Sequence, residues 1–241
     1  MGGLPSVIKS STCSPSLPSL MLTNANHILN KLDELSIRSA LGNFDIICIT
    51  ESWLNDDIRD DVCSLPNYVI FRKDRVSGPG GGIICYVKEV ISCRKVDILS
   101  SAAHEFELLW LALRPRLLPR PLTLILLCIV YCPPWYNCEL RHSLCQYIVS
   151  SIDELNRKFP NAGIILAGDF NSLETNLFNK YFHFKQIVTK NTRGTNILDK
   201  IFTNLDHYYV EPIILPPLGK SDHNCVFYSQ LVLIHQLLVI K

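Results

Sequence analysis

The decapeptide Gly163-Ile164-Ile165-Leu166-Ala167-Gly168-Asp169-Phe170-Asn171-Ser172 runs from an apolar stretch straight into an acid and an amide two residues apart. Gly, Asp, Asn and Ser all form turns, so the polar pair alone reads equally as a strand-ending turn or as a reactive site. Two other stretches share its grammar: FDIICIT ends at Glu51, and LTLILLCIV ends at Tyr131-Cys132-Pro133-Pro134. Near-continuous apolar strands are buried on both faces, and functional groups in such sheets collect beyond the strand ends. Two segments read in reverse, with Asp199 ahead of KIFTN and Ser221-Asp222-His223 ahead of NCVFY. If those strands run antiparallel to the first three, one edge gathers Glu51, Tyr131, Asp169, Asn171, Asp199, Asp222 and His223.

The remaining pattern gives coarse strands at 20–23, 45–50, 68–72, 82–87, 108–113, 122–131, 163–167, 200–203 and 225–228. Helical periodicity covers Ala25–Leu41, where Ile28, Leu32 and Leu35 share a face, and Cys138–Lys158. Strands and helices interleave, but several connections are too short for parallel crossovers. The expectation is an α/β layered fold of mixed sheets flanked by helices. Residues 1–19, rich in Ser and Pro, read as a flexible leader without the apolar core of a signal peptide; 20–241 read as one domain, with the tail 229–241 unassigned.

Composition narrows the function classes. Of 241 residues, 48% are apolar and 19% charged, and the net charge is +1, so nucleic acid would have to be held by a local basic patch. The apolar runs around 122–130 and 231–240 fall short of the roughly 20 residues of a membrane helix. The expected setting is intracellular, nuclear or cytoplasmic, with no membrane, no secretion and a monomeric chain, and there most of the ten cysteines stay reduced. Cys132, Cys138, His142 and Cys145 cluster in sequence but lack a CxxC pair and fit zinc spacing poorly. Gly80-Gly81-Gly82 is not a phosphate-binding P-loop, because no GK[ST] follows and a strand comes next; close backbone packing explains it better.

Carboxylates, amides and one histidine, without a thiolate set, favour Mg²⁺ or Mn²⁺. A hard cation beside an Asp–His pair suits phosphoester hydrolysis: the cation polarises a phosphoryl oxygen, a carboxylate activates water, and the oriented imidazole stabilises the pentacovalent state. Taken singly, Asn24 reads as a helix N-cap, Tyr131 as a core aromatic and His223 as a structural histidine. Glu107 reads equally as a supporting acid or an exposed strand acid. Arg72 and Arg75, with Lys73 beside them, and Arg193 and Lys220 near the Asp199 and His223 motifs read as a solvated surface or as a phosphate-contacting rim giving weak, salt-sensitive DNA binding.

The segments TNANHILNKLDEL, FDIICITESWL, YVIFRKDRVSGPGGGIICYVK, FELLWLAL, VYCPP, ILAGDFNS, TRGTNILDKIFTN and GKSDHNCV, in that order from Thr23 to Val226, resemble the endonuclease/exonuclease/phosphatase superfamily. The resemblance is nearest to the endonuclease domain of LINE-like (non-LTR) retrotransposon polyproteins, which usually precedes a reverse transcriptase. It implies an exonuclease III/DNase I-like four-layered α/β sandwich and a Mg²⁺-dependent DNA-nicking endonuclease. It places Asn24 and Glu51 at a metal with Asp222 nearby, Tyr131 beside the scissile phosphate and Asp169 as the water-activating acid. Asn171 then holds phosphate or water, and Asp199 pairs with His223. His27 departs from the pattern, which usually carries serine there. Alternatives of other kinds are a superfamily phosphatase or phospholipase on a small phosphoester, and a catalytically inactive, domesticated domain that binds nucleic acid.

Overall fold

The computed structural model describes residues 17–98 and 106–231. Its strands are β1 (Leu20–Asn24), β2 (Ile46–Thr50), β3 (Tyr68–Lys73), β4 (Ile83–Lys88), β5 (Ser92–Lys95), β6 (Glu107–Arg114), β7 (Leu124–Tyr131), β8 (Ala162–Asp169), β9 (Lys185–Gln186), β10 (Asp199–Thr203), β11 (Ile213–Leu215) and β12 (Cys225–Tyr228). The helices are α1 (Leu32–Gly42), α2 (Cys138–Lys158) and α3 (Asn176–Phe182). The strands form two six-stranded sheets, in the orders β11-β12-β1-β2-β4-β3 and β5-β6-β7-β8-β10-β9. Each sheet has one parallel pair, β1–β2 and β7–β8, and a helix (α1 or α2) lies between its members in sequence. Every other pairing is antiparallel, including β10 on β8 and β12 on β1.

The period of two along each strand generates the layers. Leu20, Leu22, Ile46, Cys48, Ile83 and Cys85 of the first sheet meet Leu109, Leu111, Ile125, Leu127, Ile129, Ile165, Ala167 and Ile201 of the second in one inner core. The alternate residues Met21, Ile47, Ile49, Ile84 and Tyr86 face outward and pack with Ile28 and Leu35. On the other side Trp110, Leu126, Cys128, Ile164 and Leu166 pack against Leu144, Ile148, Ile152 and Leu155 of α2 and Phe178 of α3. The α2 residues recur at helical spacing, and the helix starts where the Asn137 side chain accepts from the Leu140 N–H at 2.8 Å. The result is the layered fold of mixed sheets and helices that the sequence pattern implies, in the four-layered form that the resemblance implies.

Three boundaries differ from expectation. The helix expected from Ala25 begins only at Leu32, after a short 3₁₀ turn at Leu29–Lys31. Ala25 and His27 instead donate backbone N–H to Thr50 and Glu51 carbonyls at 2.9 and 3.0 Å, with positive φ at Asn26 and His27. Lys31 Nζ then donates to the Asn26 and His27 carbonyls at 2.8 and 3.0 Å, so the loop's polar groups are satisfied without a helix. Asn24 accordingly ends a strand and caps nothing. Part of the expected leader also belongs to the domain: Leu17 is buried and its N–H donates to Gln230 Oε1 at 2.9 Å, while Ser19 donates to Asp45. From the tail, Val210 N–H donates to the Ser229 carbonyl and Leu231 N–H to that of Tyr208. Residues 1–16 and 232–241 lie outside the described part. Among the described residues, no helix is long and apolar enough to cross a membrane.

Gly168 is fixed by the contact between β7 and β8. Its φ is +159°, and a Cβ there would stand 1.9 Å from the Val130 carbonyl oxygen. Backbone in the middle of a sheet cannot step aside. Gly168→Ala is therefore expected to destabilise the fold by about 3 kcal/mol, measured as a shift in the urea midpoint against wild type.

Candidate active site

The same alternation that builds the inner core carries polar residues to one end of it. Asn24 continues Leu20 and Leu22, Glu107 precedes Leu109, Tyr131 follows Ile129, Asp169 follows Ala167, and Asp199 precedes Ile201. Strand register then aligns four of them, since Glu107 pairs with Tyr131, Tyr131 with Asp169, and Asp169 with Asp199. They form a single row across β6, β7, β8 and β10.

Asp169 and Asp199 are like charges directly across an antiparallel pair, an unfavourable placement unless something compensates. Both are buried. Burial, and next the Asp199 charge, push the Asp169 carboxyl up to about 7. Asp199 Oδ2 lies 2.7 Å from His223 Nδ1, and both side chains are almost wholly enclosed. Burial alone would lower the basicity of His223, but the hydrogen bond and charge of Asp199 outweigh it and raise the imidazole above its ordinary range. Thr192 Oγ1 accepts from the Leu198 and Asp199 N–H groups at 3.0 and 3.1 Å. Ser221 Oγ, which donates to the Asn24 carbonyl at 2.7 Å, accepts from His223 N–H at 3.2 Å. Asp199 Oδ1 is buried without a hydrogen-bond partner.

Asn24 joins the two sheets. Its Nδ2 donates to Glu51 Oε1 at 3.0 Å and to Asp169 Oδ2 at 2.9 Å, while its Oδ1 accepts from Asn26 N–H at 3.0 Å. Glu51 follows β2 with a φ of +50°. Its Oε1 also accepts from the Tyr131 hydroxyl at 2.8 Å, and Oε2 accepts from Trp53 Nε1 at 3.3 Å. Burial, then the Glu51 charge, raise the Tyr131 hydroxyl well above its ordinary range. Asn171, at φ +43°, donates its N–H to Asp169 Oδ1 at 3.1 Å and its Nδ2 to the Cys132 carbonyl at 2.9 Å. The polar pair after β8 is thus a turn and part of the cluster at once.

Glu107, which the sequence leaves open between two roles, is buried. Its Oε1 accepts from Arg75 Nε and Nη2 at 2.9 and 2.7 Å, and its Oε2 accepts from Gly82 N–H. Burial nevertheless holds its carboxyl above the usual range, because the Gly82 and Arg75 bonds offset only part of the desolvation. Gly82 (φ +81°) leaves no room for a Cβ, which would stand 2.7 Å from Ser52 Oγ. The glycine run is close packing, as expected, and it places the N–H that holds Glu107.

The expected basic rim is largely internal. Arg75 is bound to Glu107 and to the Pro79 carbonyl. Arg72 pairs with Asp74 and Asp60 and donates to the Ile58 and Asn55 carbonyls, pinning the 55–60 loop. Arg193 pairs with Asp222 at 2.5 Å on the surface, and Lys220 is exposed. Asp222 is itself exposed, and its charge still reaches His223. Cys132 and Cys145 are buried while Cys138 and His142 are exposed, and among the described residues they form no metal-sized group. Sequence reasoning missed the buried partners Thr192 and Ser221, although both lie inside the TRGTNILD and KSDH segments.

Asp169, Asp199 and His223 each offer a ligand atom within 4.8 Å of the others. Glu51 and the partnerless Asp199 Oδ1 add oxygens, and no thiolate is present in the cluster. This donor set fits a hard divalent cation. Without a cation, a sign follows for stability. The folded Asp169 retains a proton that the unfolded chain releases above its ordinary value of 3.8, so its contribution falls as pH rises from there to about 7. His223 acts in the same direction: its contribution is complete below 6.5 and is lost as pH rises through the higher folded value. Metal-free protein is expected to melt lower at pH 8 than at pH 5, by roughly 5 °C, in a thermal scan with EDTA.

Comparison with known proteins identifies the family and the fold. The sequence profile of the Endonuclease/Exonuclease/phosphatase family matches residues 21–223. No curated protein sequence matches significantly. Among solved structures, the fold is similar to the 3′ phosphatase NExo from Neisseria bound to a product DNA hairpin (12% identity, 90% of this chain and 100% of that one, TM-score 0.65). It is also similar to an AP endonuclease from Archaeoglobus fulgidus (12%, 90% and 100%, TM-score 0.62). A third is the endonuclease domain of TRAS1, a telomere-specific non-LTR retrotransposon (16%, 88% and 97%, TM-score 0.60). At these identities the structures attest the exonuclease III/DNase I-like fold. The profile, spanning most of the chain, attests more: this chain belongs to the endonuclease/exonuclease/phosphatase family, whose members are nucleases and phosphatases, typically dependent on a divalent metal.

Proposed function

We propose that the chain is a divalent-metal-dependent phosphodiesterase that nicks DNA and derives from a retrotransposon endonuclease. The observation that carries this reading is the row Glu107–Tyr131–Asp169–Asp199, faced by Asn24 and Glu51 and closed by His223 on Asp199. Glu51, with Asn24, would hold Mg²⁺ or Mn²⁺; bound there, the ion would polarise a phosphoryl oxygen. Asn24 turns its nitrogen to both acids, so bringing its oxygen beside Glu51 requires the amide to turn away from the Asn26 N–H.

The other groups divide the remaining work. Asp169, with its carboxyl raised to about 7, is matched to accept the proton of an attacking water near neutral pH. Asn171 and the Tyr131 hydroxyl orient the phosphate beside it. His223, gripped at Nδ1 by Asp199, keeps Nε2 for a phosphoryl oxygen, and its raised basicity favours the donating form as negative charge develops. Asp222 acts on His223 by its charge. The TRGTNILD segment and the likeness to the TRAS1 domain support the retroelement origin, which implies a parent polyprotein carrying a reverse transcriptase. The reading implies a monomer acting inside the cell, on nuclear or cytoplasmic DNA.

The test is substrate class. With Mg²⁺ the chain is expected to nick supercoiled plasmid and to hydrolyse bis-p-nitrophenyl phosphate, and excess EDTA is expected to lower both by at least about 100-fold. Hydrolysis of the p-nitrophenyl monoester alone, with plasmid intact, would assign it to the phosphatases.

A further inference from the structure

Where a basic rim was expected, the mouth of the site is aromatic. Arg75 and Arg72 are bound inside the protein, and Arg193 is paired with Asp222, which leaves Lys220 as an exposed cation near the His223 motif. Two of the three tryptophans are solvent-facing: Trp135 is 65% exposed and Trp53 43%, against 4% for Trp110 in the core. Both lie within one or two contacts of the Glu51–Tyr131 pair. Trp53 donates Nε1–H to Glu51 Oε2 and meets the His27 ring edge-on at 5.6 Å. The Arg75 guanidinium lies 5.7 Å from the Trp135 ring and 5.8 Å from the Tyr131 ring, and Tyr136 meets Trp135 edge-on at 4.8 Å.

Trp135 is therefore exposed yet contacted, by the Arg75 guanidinium that Glu107 holds and by the neighbouring Tyr136 ring. A solvent-facing indole is suited to stacking, and a nucleobase offers a face to it only where that face is not already covered by a neighbour in the duplex. We infer that Trp135, with Trp53 beside Glu51, is a stacking platform for an unpaired base adjoining the scissile phosphate, so that DNA frayed, gapped or single-stranded at the cut is bound best. This inference rests on the phosphodiesterase reading above for its substrate. It also sets the salt response. With Lys220, Arg193 and the half-buried Arg141 and Lys200 as the cations nearest the site, Z is at most about 4, and affinity for single-stranded DNA falls no more than about 50-fold between 50 and 200 mM salt.

The experiment uses the full chain carrying Asp169→Asn, to prevent cleavage, with Mg²⁺. Tryptophan fluorescence is titrated with a short oligothymidylate and with a blunt duplex of equal length. Oligothymidylate is expected to quench the emission. Adding Trp135→Ala is expected to remove most of the quench and weaken that binding about 10-fold, with duplex affinity changed less than about 2-fold; Trp135→Phe keeps most of the binding. Equal oligothymidylate affinity with and without Trp135→Ala overturns the inference, as does a 10³-fold salt effect. So does loss of a dimer, which would assign the indole to self-association. If Trp135→Ala acts as expected but wild type leaves plasmid intact, the stacking platform stands and the hydrolase reading fails. If wild type nicks plasmid and Trp135→Ala changes nothing, the reverse holds.

Discussion

Asp169→Asn is expected to lower Mg²⁺-dependent nicking by about 10⁴-fold and, at pH 8, to make the metal-free protein more stable by about 1 kcal/mol. Both effects come from one geometry. The Asp169 carboxylate lies across the strand pair from Asp199, buried, and is pushed up to about 7 by burial and by that charge. An amide in its place cannot take a proton from water, so the proposed base is lost. It also removes the repulsion at pH 8, offset in part by the conflict of an NH₂ group facing Asn24 Nδ2 or the Asn171 N–H. At pH 5 Asp169 is already protonated, so the stability gain should vanish while the activity loss persists. Nicking rates and EDTA-treated melting curves at both pH values check the pair. A variant that lost activity and stability together at pH 8 would make Asp169 a structural residue.

Arg75→Ala is expected to cost about 3 kcal/mol in chemical denaturation, a large effect for a cation read from sequence as part of a surface rim. The guanidinium and the Glu107 carboxylate are only 12% and 9% exposed, and Arg75 binds Glu107 through two nitrogens. Truncation leaves the Glu107 charge with the Gly82 N–H alone, in a place where burial already disfavours it. The double change Arg75→Met with Glu107→Gln should recover most of the loss, since no charge is then stranded. A cost under about 0.5 kcal/mol for Arg75→Ala would place the residue back in solvent, among ordinary surface substitutions.

What could be read from the sequence, and what could not, divides along physical lines. Apolar runs ending in Glu51, Tyr131 and Asp169 mark strand ends, and the antiparallel sense expected for the Asp199 and His223 strands is the one observed. Those features are local: period, polarity and the residue that stops a run. The Glu107–Arg75 pair is not local, since its members are 32 residues apart and meet only because β6 and the loop after β3 converge on Gly82. For the same reason a string of arginines looked like a rim. The helix expected from Ala25 failed because the backbone of 25–28 found partners at 50–52, a tertiary competition that periodicity does not report. Asp222 and His223 are adjacent in sequence yet diverge in space, one paired with Arg193 at the surface and the other buried on Asp199.

The most direct test of the site is the pH dependence of plasmid nicking at saturating Mg²⁺, compared between wild type and His223→Ala. The expected result is nicking by wild type that His223→Ala lowers by at least about 100-fold at every pH, with no activity in either protein under EDTA. Wild-type nicking that His223→Ala leaves unchanged, or that survives EDTA, would contradict the assignment of chemistry to this cluster.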